Sequence, residues 1–156
     1  MVHKYGNIAP VSYDEDTEAD GTFYFLSNAF SFENDEDAKK RDDAVMGTIN
    51  YTGRLLNGQI FDTTVEKVAK DAGIYNPSAS YAPVSVSFDS DWNSITLGES
   101  SSLINGFKGG LSLMKYQGEK AVIIFTSSHG YSSSGSGNVI PGWSPLEFEL
   151  ELVSID

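Results

Sequence analysis

Between Tyr51 and Thr64 the chain sets an aromatic hydroxyl, a turn marked by glycines and an adjacent apolar and acidic pair, Phe61-Asp62, at short fixed offsets. Asp62 by itself reads as a cap at the end of a strand. With Tyr51 eleven positions upstream, a role in a site is favoured instead. Phe61, Phe107 and Phe148, taken singly, read as core. Other residues that could do chemistry lack partners. Without cysteine there is no thiol nucleophile, thiolate metal site or disulfide. Ser132, Ser133 and Ser134 lie near His129, but no nucleophile-elbow pattern surrounds them, and His3 and His129 read as isolated, solvated histidines. Asp16, Glu18 and Asp20 before Gly21 have the spacing of a calcium loop, yet Ser27 stands at the twelfth position, where a bidentate glutamate is required, so an acidic Asp-Gly turn is the better reading. No metal site is expected.

The elements that must hold these residues follow from periodicity. Val45, Gly47, Ile49 and Tyr51 alternate as one face of a half-buried strand, Thr52-Gly53 and Asn57-Gly58 punctuate a hairpin-like turn, and Gln59 to Asp62 returns. That return delivers Phe61 and Asp62 to opposite faces, or to a bend at the strand's end. Thr63 to Glu66 resembles a capping box with Thr63 as N-cap, and Val65, Val68, Ala69 and Ala72 continue at helical spacing to Gly73. Val84 to Phe88 and Ser94 to Leu97 read as strands around an Asp89-Ser90-Asp91 turn. Leu103 to Met114 predicts a short helix that must pack tightly, since Gly106, Gly109 and Gly110 each weaken it by about 1 kcal/mol relative to Ala. Ala121 to Phe125 reads as a buried strand, Ser127 to Gly137 as a Ser/Gly loop, and Leu146 to Leu152 as a terminal strand with one wet, acidic face. Upstream, Thr22 to Leu26 is β-prone, Glu33 to Lys40 is a solvated turn or short exposed helix, and residues 1–22 form an extended arm. An α+β fold follows, an antiparallel sheet with one main helix.

A chain of 156 residues suffices for one domain with a full core, and no apolar run approaches the roughly 18 residues of a membrane helix. The net charge of −12 argues against nucleic acid and anionic membrane surfaces as partners, Lys39-Lys40-Arg41 being the only basic run. Eleven of the 22 carboxylates fall in the first 46 residues, which marks the front third as the more acidic. This segment is a candidate surface for a basic or calcium-bearing partner. No signal-length apolar segment follows Met1-Val2-His3-Lys4, so the chain is either cytoplasmic or a mature form exported to the periplasm or cell envelope, the second being preferred.

From about Asp43 to Ile155 the order of residues resembles the FKBP-type peptidyl-prolyl cis-trans isomerases. The resemblance is carried by Val45, Ile49 and Tyr51-Thr52-Gly53, by Gly58, Phe61-Asp62 and Leu97-Gly98, and by Ile104, Gly106-Phe107, Gly110-Leu111 and Met114. It continues through Gly118-Glu119-Lys120-Ala121, Tyr131, Ile140-Pro141, Ser144-Pro145-Leu146, Phe148 and Glu151-Leu152. It implies a bent antiparallel β-sheet wrapped around a short α-helix, with residues 43–156 as the isomerase domain and 1–42 as an acidic arm with a short strand. It also implies catalytic roles for Tyr51, Phe61, Asp62 and Tyr131, and substrate contacts from Leu103, Ile104, Phe107, Ile140 and Phe148, with Phe107 as the floor where many members have Trp.

The expected substrates are proline-containing unfolded or extended polypeptides, with macrolide inhibitors of the family competing, no cofactor, no metal, no nucleic acid and a monomeric state. The alternative is a proline-peptide-binding module or folding helper that turns over poorly. The stretch between Asp62 and Leu97 exceeds that of the shortest members and looks like the helical insertion of some prokaryotic ones. Because of it one aromatic wall position stays open between Val84 and Asn93, with Trp92 adjacent. Only about nine residues separate Tyr131 from Ile140, too few for an inserted chaperone domain.

Overall fold

A computed structural model describes residues 10–12, 23–100 and 102–156, so the acids from Asp14 to Asp20, the calcium-loop pattern and the remainder of the arm lie outside the described residues. In chain order come β1 (Pro10–Ser12), β2 (Phe23–Ser27), α1 (Phe30–Glu33), β3 (Met46–Leu55), β4 (Ile60–Thr63), α2 (Glu66–Ala72), β5 (Val84–Ser87), β6 (Thr96–Leu97), α3 (Asn105–Leu113), β7 (Lys120–Phe125) and β8 (Leu146–Ile155). The strands make one antiparallel sheet in the order β1-β2-β7-β8-β3-β5-β6, with β4 also on β3.

The long central pair β3 and β8 carries the fold. Alternation along β3 puts Ile49, Tyr51, Gly53 and Leu55 on one face, and β8 adds Leu146, Phe148, Leu150 and Leu152 beside them. That face packs on α3. The helix has weak intrinsic propensity, and its glycines explain why it forms here: a Cβ on Gly106 would come within 2.5 Å of the Phe125 ring, and one on Gly110 within 2.6 Å of Ile123. Absent side chains let α3 lie directly on β7, burying Phe107 and Leu111. Just after α3, the wholly buried Glu119 carboxylate accepts the N–H groups of Lys115 (2.8 Å) and Tyr116 (3.0 Å) and the Ser27 hydroxyl, so its charge is met by donors on two segments.

Several local expectations are corrected. Thr52-Gly53 is not a turn but the interior of β3. The chain reverses at Leu56–Gly58 instead, with Gly58 at φ 96° and its N–H on Leu55 O. The capping box at Thr63 does not form: α2 starts two residues later, after Val65, because the Thr63 hydroxyl is engaged with Thr52 (2.8 Å) and Val65 N–H (3.1 Å), while Glu66 pairs with Lys70. The stop at Gly73 is as expected, in the left-handed region at φ 75°. The Ser94–Leu97 strand shrinks to two residues, since a 3₁₀ turn at Trp92–Ser94, capped by Asp91, sinks Ile95 into the core. On β8 the acidic face is not uniformly wet. Glu147 is 2% exposed and is paired with Arg54 of β3.

Candidate functional site

The outer edge of β3 is shared by two strands. Its first half, Met46–Ile49, pairs with β5, and its second half, Thr52–Arg54, pairs with β4. Asn50 and Tyr51 lie in the gap between. Thr64 fills it: its hydroxyl accepts from Tyr51 N–H (2.9 Å) and donates to Asn50 Oδ1 (2.8 Å), and its N–H donates to Tyr51 O (2.9 Å). The backbone at Tyr51 is thereby fixed where the sheet splits, so the direction of its ring is fixed as well.

A β-bulge then re-aims the residues on β4. Gly53 faces Asp62 and Arg54 faces Ile60, which leaves Phe61 as the extra residue. A regular strand would send Phe61 and Asp62 to opposite faces; the bulge brings both to one cleft. Gly53 makes the room. A Cβ there would lie 2.6 Å from the Phe148 ring and 2.7 Å from that of Phe61.

The cleft has a volume of about 190 Å³ and is lined by Tyr51, Phe61, Asp62, Leu97, Ser102, Leu103, Ile104, Phe107, Tyr131 and Phe148. Its rings meet edge to face: Phe107 and Phe148 at 4.9 Å and 90°, Tyr51 and Phe107 at 5.2 Å and 86°, Phe61 and Phe148 at 5.6 Å and 88°. At the rim the Tyr51 hydroxyl donates to Asp62 Oδ2 at 2.9 Å. Burial, reinforced by the charge and hydrogen bond of Asp62, pushes the Tyr51 hydroxyl pKa far above its ordinary value, and burial followed by the Asp62 charge raises that of Tyr131. Both hydroxyls therefore stay protonated donors at neutral pH. Ile104 is the N-cap of α3, and none of the hydrogen bonds among the described residues uses its N–H.

The structure brings together eight of the nine expected site residues. Ile140 is the exception: it is 5% exposed and packed in the core, its backbone paired with Ser136 across the loop after β7. Two cleft residues, Leu97 and Ser102, escaped the sequence reading. Leu97, visible in the Leu97-Gly98 pair, lines the cleft, and neither candidate for the open wall, Val84 or Asn93, does. Val84 lines an adjoining groove, Trp92 packs on the core, and the Asn93 carbonyl accepts from Lys108 Nζ at 3.0 Å. His129 is only partly solvated. It sits edge-on to Phe23 at 6.3 Å, with Nε2 buried.

An aromatic cleft with hydroxyl donors at its rim can hold a prolyl ring and bias an amide's geometry. A 123-residue match, 35% identical, covers 79% of this chain and 87% of the FK506-binding protein 1A of Aspergillus fumigatus. The chain belongs to the FKBP-type peptidyl-prolyl cis-trans isomerases. The family's sequence pattern, described as FKBP-type peptidyl-prolyl cis-trans isomerase, matches residues 82–153. The macrophage infectivity potentiator of Trypanosoma cruzi is 29% identical over 69% of this isomerase, which spans only 41% of that protein. The crystal structure of a peptidyl-prolyl cis-trans isomerase from Pseudomonas syringae shares the fold, with a TM-score of 0.52 at 22% identity over 86% of this chain and 75% of that one. Among the described residues no helix is long and apolar enough to cross a membrane.

Proposed function

We propose that this isomerase rotates X-Pro bonds of extended or unfolded polypeptides in the cleft walled by Tyr51, Phe61, Leu97 and Phe148 over Phe107. Rotation of an X-Pro bond meets a barrier of ~18–20 kcal/mol because the twisted amide loses its resonance. No covalent bond breaks, so the site needs only to favour the twisted amide over the planar one. A twisted amide has a less polarised carbonyl, and loses less than the planar form when it leaves water for an aromatic cavity. Phe61, Phe107 and Phe148 hold the ring and exclude water, Leu103 edges them, the Ile104 N–H and the Tyr131 hydroxyl hold the flanking peptide, and Asp62 orients Tyr51 and sets the field at the rotating carbonyl.

The observation that carries this reading is the Tyr51–Asp62 hydrogen bond at the mouth of the ring cluster. In the same reading α2 and the chain up to β5 are an insertion relative to short family members, of the kind some bacterial ones carry, residues 43–156 are the catalytic unit, the enzyme works as a monomer, and FK506 competes with peptide.

Refolding of a protein limited by proline isomerisation is the test. Wild type accelerates it. Asp62→Ala removes a hydrogen bond to a charged group, worth about 1.5–3 kcal/mol, and lowers kcat/KM about tenfold to hundredfold while the variant stays folded. Peptide binding by the wild type without acceleration would overturn the catalytic role of the cleft.

A further inference from the structure

We propose that a groove beside the cleft is a second peptide subsite, which receives uncharged substrate residues on one side of the X-Pro bond. The proposal rests on the reading of the cleft as the site of X-Pro rotation. The groove has a volume of about 320 Å³, larger than the cleft, and shares Tyr51, Phe61 and Asp62 with it, so the two adjoin along these residues. Its outer wall comes from the segment between α2 and β5, through Ile74, Asn76, Ala79, Ser80, Tyr81 and Val84.

The wall is built rather than merely present. Ile74 N–H closes back on Ala69 O at 3.0 Å, Tyr75 stacks on Tyr81 at 5.5 Å, Asn76 N–H donates to the Tyr81 hydroxyl at 3.0 Å, and Ala79 N–H to Asn76 O at 3.0 Å. A loop held in this way needs little further ordering when a peptide arrives, so contacts made there convert to affinity.

Its chemistry selects the ligand. Ile74, Ala79 and Val84 offer apolar contact, while the Ser80 hydroxyl and the Asn76 side-chain NH₂ can donate to peptide carbonyls, the Asn76 Oδ1 being taken by Ser78 N–H at 2.9 Å. Apart from Asp62, which already accepts from Tyr51, no charged side chain lines the groove among the described residues. Along the wall away from Asp62 nothing would compensate a desolvated charge, which favours uncharged substrate residues there.

The experiment compares an X-Pro peptide bearing a single flanking residue on each side with versions lengthened by uncharged residues on the N-terminal or the C-terminal side. Wild type is expected to turn over one of the lengthened peptides with a kcat/KM about tenfold above the short one. Ser80→Trp, which fills the groove, and Ile74→Asp, which charges it, abolish that gain and keep the short-peptide rate, which also reports correct folding. Equal rates for short and lengthened peptides in wild type, or a gain that survives both substitutions, would overturn the subsite and leave the cleft reading intact. Failure of wild type on every peptide would overturn both.

Discussion

Gly53 and Arg54 are neighbours on β3, and the two sides of the sheet they serve are built on opposite rules. On the side of Arg54, charge meets charge. Arg54 bonds Glu147 at 2.9 Å and also Glu149, and the Glu147 side chain is only 3% exposed, so each group is satisfied within the protein. On the side of Gly53, rings pack around a missing side chain, and Tyr51 and Asp62 keep their polar groups at the edge of a cavity. Polar groups that satisfy one another hold a fold together, whereas groups left facing a cavity are available to a ligand. Substitutions on the two sides should therefore separate stability from activity.

Arg54→Met tests the first half of that contrast most severely. It strands Glu147 in a dry site, and unfolding in urea is expected to show a loss of about 3 kcal/mol, the low end for a broken buried ion pair because Arg54 and Glu149 are partly exposed. The folded fraction should keep its kcat/KM. A variant that loses activity but no stability would break the comparison.

Gly53→Ala is the intermediate case, because the new methyl collides with both Phe148 and Phe61. Overpacking should lower stability by about 1–3 kcal/mol and, by displacing the cleft's rings, reduce activity as well.

Tyr51→Phe keeps the ring and removes the donor. Its expected signature is a drop in kcat/KM of about tenfold, with stability changed by less than ~1 kcal/mol, since the hydroxyl lies at a half-open rim.

The smallest effect is the pH dependence of stability. The folded protein holds the Tyr51 proton more tightly than the unfolded chain does, so this group's stabilisation is complete below about pH 10, the value in the unfolded chain, and is lost as pH rises from there towards the folded value. Between pH 6 and 9 neither stability nor rate should change through Tyr51. Above about pH 10 wild type should lose stability more steeply than Tyr51→Phe in denaturation curves taken pH by pH.

Much of the scaffold was legible. Alternation from Val45 to Tyr51 and from Leu146 to Leu152 marked the two central strands, because a period of two is written directly in residue types. Helical spacing from Leu103 to Met114 marked α3, and its glycines already signalled close packing. Most of the cleft was legible too, through the order of Tyr51, Phe61-Asp62, Phe107, Tyr131 and Phe148. Leu97 lines the cleft, whereas the open wall position was looked for at Val84 or Asn93, upstream of the Leu97-Gly98 pair. Ile140 does not line the cleft, and the Ser/Gly loop before it has no period from which its position could be read.

The sequence by itself determined the strands, the helix and the types of side chain available to an aromatic cleft, because these depend on periodicity and composition along the chain. Only the tertiary structure decided that Phe61 and Asp62 share a cleft, that Arg54 finds Glu147, and that the α2–β5 segment lines a groove beside the cleft. Each of these depends on the register between segments distant in sequence, set by a bulge or a split sheet edge that no local pattern encodes.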